Sequence, residues 1–300
     1  MSGRSTPHPA KPRIASTMGK AGIFSEALPF IRKFRGTTVV IKYGGSAMVD
    51  ESLRETFADD VAMLHYVGIK PIVVHGGGSH ISKALGQQGI EPQWREGLRV
   101  TDEHTMRVVQ ATLVGEINPD IVRLINKHGA VAAGVSGLDA NLFMAEREDE
   151  QLGFVGRVTE VNTGLVEGLQ AQGYVPVVAP IARGEDGETY NVNADSAASA
   201  LASALGASKL VYLTDVEGLY RDLGDQDSLI SRISARELRD LLESDSVSAG
   251  MLPKLRSAVD AIDAGVGQVH ILDGRMQHAV LLEIFTPEGI GTMITNGQSL

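Results

Sequence analysis

Apolar runs of strand length that end in glycines and pass directly into helical patterns recur along this chain, and that alternation leaves few folds open. TVVIKYGG leads into ESLRETFADDVAMLHYVG, and PIVVHGGG leads into SHISKALGQQG. Strands alternating with helices imply an α/β fold with a largely parallel sheet flanked by helices. AVAAGV, NLFMAE, GFVGRVTEV and VPVVAPIA are further β-like runs, after which RGEDGETY, dense in glycine and acids, reads as a surface loop or hairpin. The rhythm then restarts with YNVNAD, a helix, KLVYLTD, two more helices, VHILDG and a last helix before IGTMIT. That restart places a lobe boundary near Tyr190.

The 300 residues suffice for two lobes. Residues 1–19 hold proline and basic residues but no apolar core of a secretory signal, so they read as a disordered leader, with a weak organellar transit peptide as the alternative because the stretch lacks acids. In residues 20–35, Ile23, Ala27, Phe30, Ile31 and Phe34 recur at helical spacing, and Pro29 is expected to kink or split that helix. The stripe either packs on its own domain or meets another subunit. Thr101 and Asp102 are placed to cap a helix with Met106, Val109, Leu113 and Ile117 as its stripe, and Pro119 argues against unbroken continuation.

Composition excludes several classes of function. With 27 basic and 37 acidic side chains the formal charge is −10, which repels nucleic-acid backbones. The lack of any cysteine removes disulfides, thiol nucleophiles and cysteine-held metals, and suits a cytoplasmic protein. No apolar run reaches the ~18 residues of a membrane span.

Ligands of α/β sheets bind where parallel strands end and helices begin, so the glycines and polar residues at those junctions are the candidate site. Lys42 is a lone charge in an apolar strand, beside Gly44 and Gly45, whose backbone N–H groups can approach an oxyanion. Gly76, Gly77 and Gly78 form an anion-receptive turn at a helix start. Neither junction is a dinucleotide fingerprint, because Ile81 stands where its third glycine would be, and no P-loop motif occurs. Asn191, Asn193 and Asp195 would share one face if NVNAD is extended. Lys254 follows Gly250 and Met251 near a helix start, and Arg99 lies beside a turn where it could fork onto a carboxylate. His75 and His80 lack a partner at metal-ligand spacing and read as structural, and no protein metal ligand is assigned.

Taken in order, IKYGGSAM, VVHGGGSHIS, EGLRVTDE, NVNADSAASALA, GASKLVYLTDVEGLY, SAGMLPKL and LLEIFTPEGIGT resemble the acetylglutamate kinase branch of the amino-acid kinase family, over roughly residues 20 to 295. The resemblance implies a three-layer αβα sandwich with a mainly parallel open sheet and two lobes. Residues 36–190 would bind N-acetyl-L-glutamate and dimerise, and residues 191–300 would bind ATP. The implied reaction phosphorylates the side-chain carboxylate of N-acetyl-L-glutamate in arginine biosynthesis. Lys42 and Lys254 would stabilise the phosphoryl group in flight, with Asp195 orienting both. Gly44 and Gly45, with Gly77 and Gly78, would offer N–H donors, and Arg99 and Asn191 would hold the acetylglutamate. Lys209, Thr214, Asp215, Tyr220, Gly250 and Met251 lie in segments resembling the nucleotide site. Mg²⁺ would arrive with the nucleotide, and the acceptor, with a pKa of ~4.3, needs no general base.

The N-terminal stripe and LLEIFTPEGIGT resemble the arginine-inhibited members, in which an added helix interlaces dimers into a hexamer, a trimer of dimers. There His270, Glu283 and Gly289, with Lys209, would match an arginine pocket, and a P-II-type signalling protein is a candidate regulator. The rivals are another kinase of the family acting on aspartate, glutamate, carbamate or UMP, and a catalytically silent arginine or nucleotide sensor. A nicotinamide-dependent oxidoreductase is undermined by the missing fingerprint.

Overall fold

The computed structural model describes residues 12–222, 224–243, 251–287 and 289–297. A helix, α1 (Pro12–Phe34), precedes the sheet. The first half of the chain then contributes β1 (Thr38–Tyr43), α2 (Glu51–Tyr66), β2 (Lys70–His75), α3 (Gly78–Gln87), β3 (Trp94–Arg95), β4 (Leu98–Arg99), α4 (Glu103–Gln110) and α5 (Asn118–Ile125). β5 (Ala132–Ser136), β6 (Phe143–Arg147), β7 (Val155–Val161), α6 (Gly164–Ala171), β8 (Val175–Ala179), β9 (Ile181–Gly184) and β10 (Thr189–Val192) follow. The last third holds α7 (Ala194–Ala204), β11 (Lys209–Thr214), β12 (Arg232–Ser234), α8 (Ala235–Leu242), α9 (Leu252–Asp263), β13 (Gln268–Asp273), α10 (Ala279–Phe285) and β14 (Thr292–Thr295).

Eight strands form one sheet in the order β12-β14-β13-β11-β1-β2-β8-β5. Every pairing is parallel except β13 with β14. β1 pairs with β11 and with β2, so the sheet runs unbroken from one half of the chain into the other. A small closed barrel of β10, β7, β6 and β9 stands apart from it, and RGEDGETY is the β9–β10 hairpin. Among the described residues no helix is long and apolar enough to cross a membrane.

The period of two along a strand decides which side chains meet the site. In β1, Val39, Ile41 and Tyr43 enter the core on one face and Val40 enters the core on the other. Lys42 shares the face of Val40, where α7 packs through Ala197, Ala198, Leu201 and Ala202. In β11, Tyr212 lies beside Lys42 in register, on that same face.

Three expectations about helices change. α1 starts at Pro12, inside the segment read as a leader, and Pro29 does not end it. Pro29 is exposed, where a missing amide bond costs least. Pro119 does not end its helix either: α4 passes through a π-helical turn, Ala111–Ile117, directly into α5, which has the proline at its start. The wider i→i+5 turn shifts the hydrogen-bond register just where Pro119 has no N–H to give. Finally, NVNAD is not extended throughout. Its strand stops at Val192, and Asn193 caps α7 by accepting from the N–H groups of Asp195 (2.8 Å) and Ser196 (3.2 Å).

Candidate functional site

The C-terminal ends of β1 and β2 open onto a cleft of about 190 Å³. Because α7 begins at Ala194, Asp195 sits in its first turn, facing Lys42 across the sheet surface. Lys42 Nζ lies 3.1 Å from Asp195 Oδ1, and Lys254 Nζ, from the first turn of α9, lies 2.6 Å from Oδ2. All three side chains are nearly buried, at 12%, 14% and 11% exposure for Lys42, Asp195 and Lys254. Desolvation pushes the Asp195 carboxyl up, but the two ammonium groups outweigh it and hold the pKa at about 2. Burial lowers the pKa of Lys254, and its pairing with Asp195 opposes that shift. Lys254 also lies 5.3 Å from the centre of the Tyr212 ring. Two ammonium groups thus share one carboxylate here, and the Asp215 carboxylate is near enough to act on Lys254 as well.

Glycines form the opposite wall. Gly45 has φ +71°, and a Cβ there would stand 2.6 Å from Asp215 Oδ1, so only glycine fits this turn. A Cβ on Gly77 would stand 2.7 Å from Leu113 and Ile117, both on the π-helical turn. The backbone of Gly77 and Gly78 at the start of α3 is thereby pressed against the cleft wall, with N–H groups of a helix N-terminus available to an anion. His75 is buried beneath. Its Nδ1 meets the Gly76 carbonyl at 3.0 Å and its Nε2 meets Asn118 Nδ2 at 3.2 Å, and burial lowers its pKa to about 4. It is a neutral strut for the glycine turn, in keeping with its structural reading.

Arg99 is 5% exposed at the cleft. Its Nη2 donates to the Gly78 carbonyl (2.9 Å) and to Ser82 Oγ (2.8 Å), whereas its buried Nη1 has no partner. Burial lowers its pKa from the ordinary value. A buried guanidinium with a spare N–H is chemically a seat for a carboxylate. Asn191 borders the same cleft, its Nδ2 3.3 Å from Thr101 Oγ1.

The other sequence-derived candidates divide between two places. Thr214 and Asp215 close β11 at the cleft end, where Asp215 Oδ1 accepts from Ser46 N (2.8 Å) and Ser46 Oγ (2.6 Å). Tyr220 bonds Glu217 in the loop beyond, Met251 caps α9, and Gly250 lies outside the described residues. Lys209 is not with them. It opens β11, a six-residue strand, so it lies ~17 Å from Thr214 and on the other sheet face, with Val211 and Leu213.

There Lys209 joins a second cavity, of about 520 Å³, with His270, Glu283 and Gly289. His270 Nε2 lies 2.9 Å from Lys209 Nζ, and His270 Nδ1 lies 2.6 Å from Glu283 Oε1. Glu283 Oε2 accepts from the Ile290 N–H at 2.7 Å, next to Gly289 with φ +62°. Burial lowers the pKa of Lys209 to about 8 and keeps His270 below its ordinary value. For Glu283 the His270 bond outweighs the upward push of burial. Phe30 and Phe34 of α1 wall one side, with Lys209 Nζ 4.6 Å from the Phe34 ring centre.

Sequence reasoning missed Ser46, Ser82 and Trp94. Ser46 follows the Gly44–Gly45 pair, and Ser82 stands one helical turn after Gly78, a spacing that could have singled it out. Trp94 faces Arg99 across a hairpin that no periodicity announces.

Residues 37–273 match the amino acid kinase family. The chain is 50% identical over 286 residues to an acetylglutamate kinase of Caldanaerobacter subterraneus, covering 95% of this chain and 96% of that protein. Among solved structures it superposes on N-acetylglutamate synthase from Neisseria gonorrhoeae complexed with coenzyme A and N-acetyl-glutamate, with a TM-score of 0.81 at 28% identity. That match covers 93% of this chain but only 64% of the synthase chain. The same synthase complexed with coenzyme A and L-arginine gives a TM-score of 0.76 at 28% identity, covering 92% of this chain and 65% of that one.

Proposed function

The chain belongs to the amino acid kinase family, and we propose that it is a cytoplasmic acetylglutamate kinase, transferring the γ-phosphoryl group of ATP to the side-chain carboxylate of N-acetyl-L-glutamate in arginine biosynthesis. One observation carries this reading: Lys42, Asp195 and the buried Arg99 with its unpartnered Nη1 line a single cleft, and Lys254 joins them through Asp195. Phosphoryl transfer asks for positioning and for neutralisation of the equatorial oxygens, which two ammonium groups supply. Asp195 holds them at fixed places, and the N–H groups of Gly44, Gly45, Gly77 and Gly78 take up further phosphate charge. Arg99 Nη1 and Asn191 receive the α-carboxylate and amide end of the acceptor. An acceptor carboxylate with pKa ~4.3 is already ionised at neutral pH, so the scarcity of general bases in the cleft suits the reaction.

Both Asp195 oxygens face lysines, and among the described residues no three His, Asp or Glu side chains converge on a metal. The fit is to Mg²⁺ held by nucleotide oxygens and water, where it neutralises phosphate charge.

The second cavity favours a regulatory assignment, feedback inhibition by arginine. Glu283 offers a carboxylate to a guanidinium and the N–H groups by Gly289 offer donors to a carboxylate. The solved synthase with L-arginine, which shares this fold, supports that assignment. Because Phe30 and Phe34 wall the cavity while Ile23 and Leu28 of the same helix stay exposed, α1 is suited to join subunits into a hexamer of three dimers.

ADP release with Mg·ATP, measured for N-acetyl-L-glutamate, glutamate and aspartate with and without millimolar arginine, tests both assignments. Turnover with acetylglutamate alone, suppressed by arginine, is expected. Turnover with another acceptor would replace the substrate, and arginine binding without any turnover would make the chain a sensor.

A further inference from the structure

We propose that Trp94 is a positioning residue for the acceptor, setting the plane of the Arg99 guanidinium at the wall of the cleft. The inference rests on the reading that this cleft takes a carboxylate-bearing acceptor. Trp94 on β3 lies directly opposite Arg99 on β4 in antiparallel register. The turn between them has two successive residues at positive φ, Glu96 (+49°) and Gly97 (+80°), the two-residue geometry that fixes hairpin register. The pairing is therefore imposed by the backbone and not by chance rotamers.

The consequence for Arg99 is a guanidinium constrained in both plane and rotation. Its central carbon lies 4.4 Å from the Trp94 ring centre, a stacking distance. One edge is fixed separately, because Nη2 bonds both the Gly78 carbonyl and Ser82 Oγ. With the face set by Trp94 and the edge set by α3, the guanidinium keeps little freedom, and its buried Nη1 lacks a partner. Trp94 is itself 55% exposed, more than burial of so large a ring would leave if packing were its purpose. Preorganising a guanidinium lowers the entropy lost when a carboxylate docks, so the effect belongs to acceptor affinity and not to the chemical step.

Trp94 is the chain's only tryptophan, which makes the wild-type protein its own reporter. Steady-state kinetics of Trp94→Ala and Trp94→Phe, combined with wild-type tryptophan emission during an N-acetyl-L-glutamate titration without nucleotide, test the proposal. Trp94→Ala is expected to raise the KM for acetylglutamate by roughly ten-fold, with kcat and the KM for ATP changing less than two-fold. Trp94→Phe should recover most of that loss, and wild-type emission should shift saturably. An active wild type with an unaltered acetylglutamate KM in Trp94→Ala overturns the proposal. So does a Phe variant as impaired as the Ala variant, or emission indifferent to saturating acetylglutamate. A wild type that does not turn over acetylglutamate counts against the proposed function instead, and emission shifted by another carboxylate acceptor would then still support the role of Trp94.

Discussion

Two buried lysine clusters stand at opposite ends of β11 and on opposite faces of the sheet, and they are built differently. At the cleft end one carboxylate, Asp195, separates two ammonium groups. At the other end one ammonium, Lys209, reaches one carboxylate, Glu283, through the neutral ring of His270. The first arrangement keeps two ammonium groups beside a glycine-lined opening, which suits phosphate. The second is internally balanced, with Glu283 also bonded by the Ile290 N–H, and its open groups suit a zwitterion such as an amino acid. Similar side chains thus acquire different chemistry from which end of a parallel strand they occupy.

Removing one cation should break the comparison most visibly. Lys254→Ala is expected to lower kcat by roughly 10²-fold or more, the cost of losing one charge-stabilising donor in a dry site. Thermal unfolding should stay close to wild type, because Asp195 keeps Lys42 as its partner. Near-wild-type turnover would remove Lys254 from the mechanism.

Acid separates the two designs next. The folded pKa of Asp195 is depressed to about 2, so its contribution is present above its ordinary value near 4 and is lost only as pH falls toward 2. Buried imidazoles behave differently. His75 is depressed to about 4, so between pH ~6.5 and 4 the unfolded chain binds a proton that the folded one refuses, and stability should drop by roughly 3 kcal/mol. His270, lowered in the same direction by burial, adds to that slope. Urea unfolding at pH 7, 6 and 5 measures it, and His270→Gln should flatten part of the dependence. A stability independent of pH over this range would show that neither ring is buried neutral.

A third substitution sharpens the contrast. Glu283→Gln keeps an acceptor for His270 and Ile290 but removes the charge, so half-inhibition by arginine should need roughly ten-fold more ligand, the loss of one charge-assisted bond. Uninhibited turnover should change less than two-fold, since the residue lies at the far end of the sheet from Lys42. Unaltered arginine sensitivity would empty the second cavity of its assigned role.

The difference between the two ends also explains which parts were legible in the sequence. Strand, glycine and helix succeed one another in order, so the parallel sheet and the site at its C-terminal edge could be read from local pattern. Asp195 between two lysines was reached only through the resemblance, because residues 42, 195 and 254 are brought together by pairing of β1 with β11 and not by spacing. Lys209 was assigned to the nucleotide segment because one short motif spans the whole of β11, and a motif does not tell one end of a strand from the other. Asn193 shows the local limit: asparagine at alternate positions reads as a strand face, yet its amide caps α7 and stops the strand. The π-helical turn before Pro119 has no recognised sequence signature, though it shapes the wall behind Gly77.

The smallest expected effect concerns α1, which serves only one of the two regions. Phe30 and Phe34 line the second cavity, and among the described residues none of α1 borders the cleft at Lys42. Earlier in the helix Ile23 and Leu28 remain 65% and 53% exposed, so the apolar stripe is buried within the subunit only toward its end. Burying an isoleucine side chain is worth ~2 kcal/mol, so Ile23→Lys should weaken association of subunits by a comparable amount and leave the fold intact. Sedimentation velocity across a dilution series would then show the variant shifting to smaller species at concentrations where the wild type stays assembled. Turnover without arginine should be preserved, because the lysine pair and Arg99 lie within one chain. An unchanged sedimentation profile would mean that the exposed turn of α1 joins nothing, and arginine control would have to act within the subunit, along the strands that connect the two clusters.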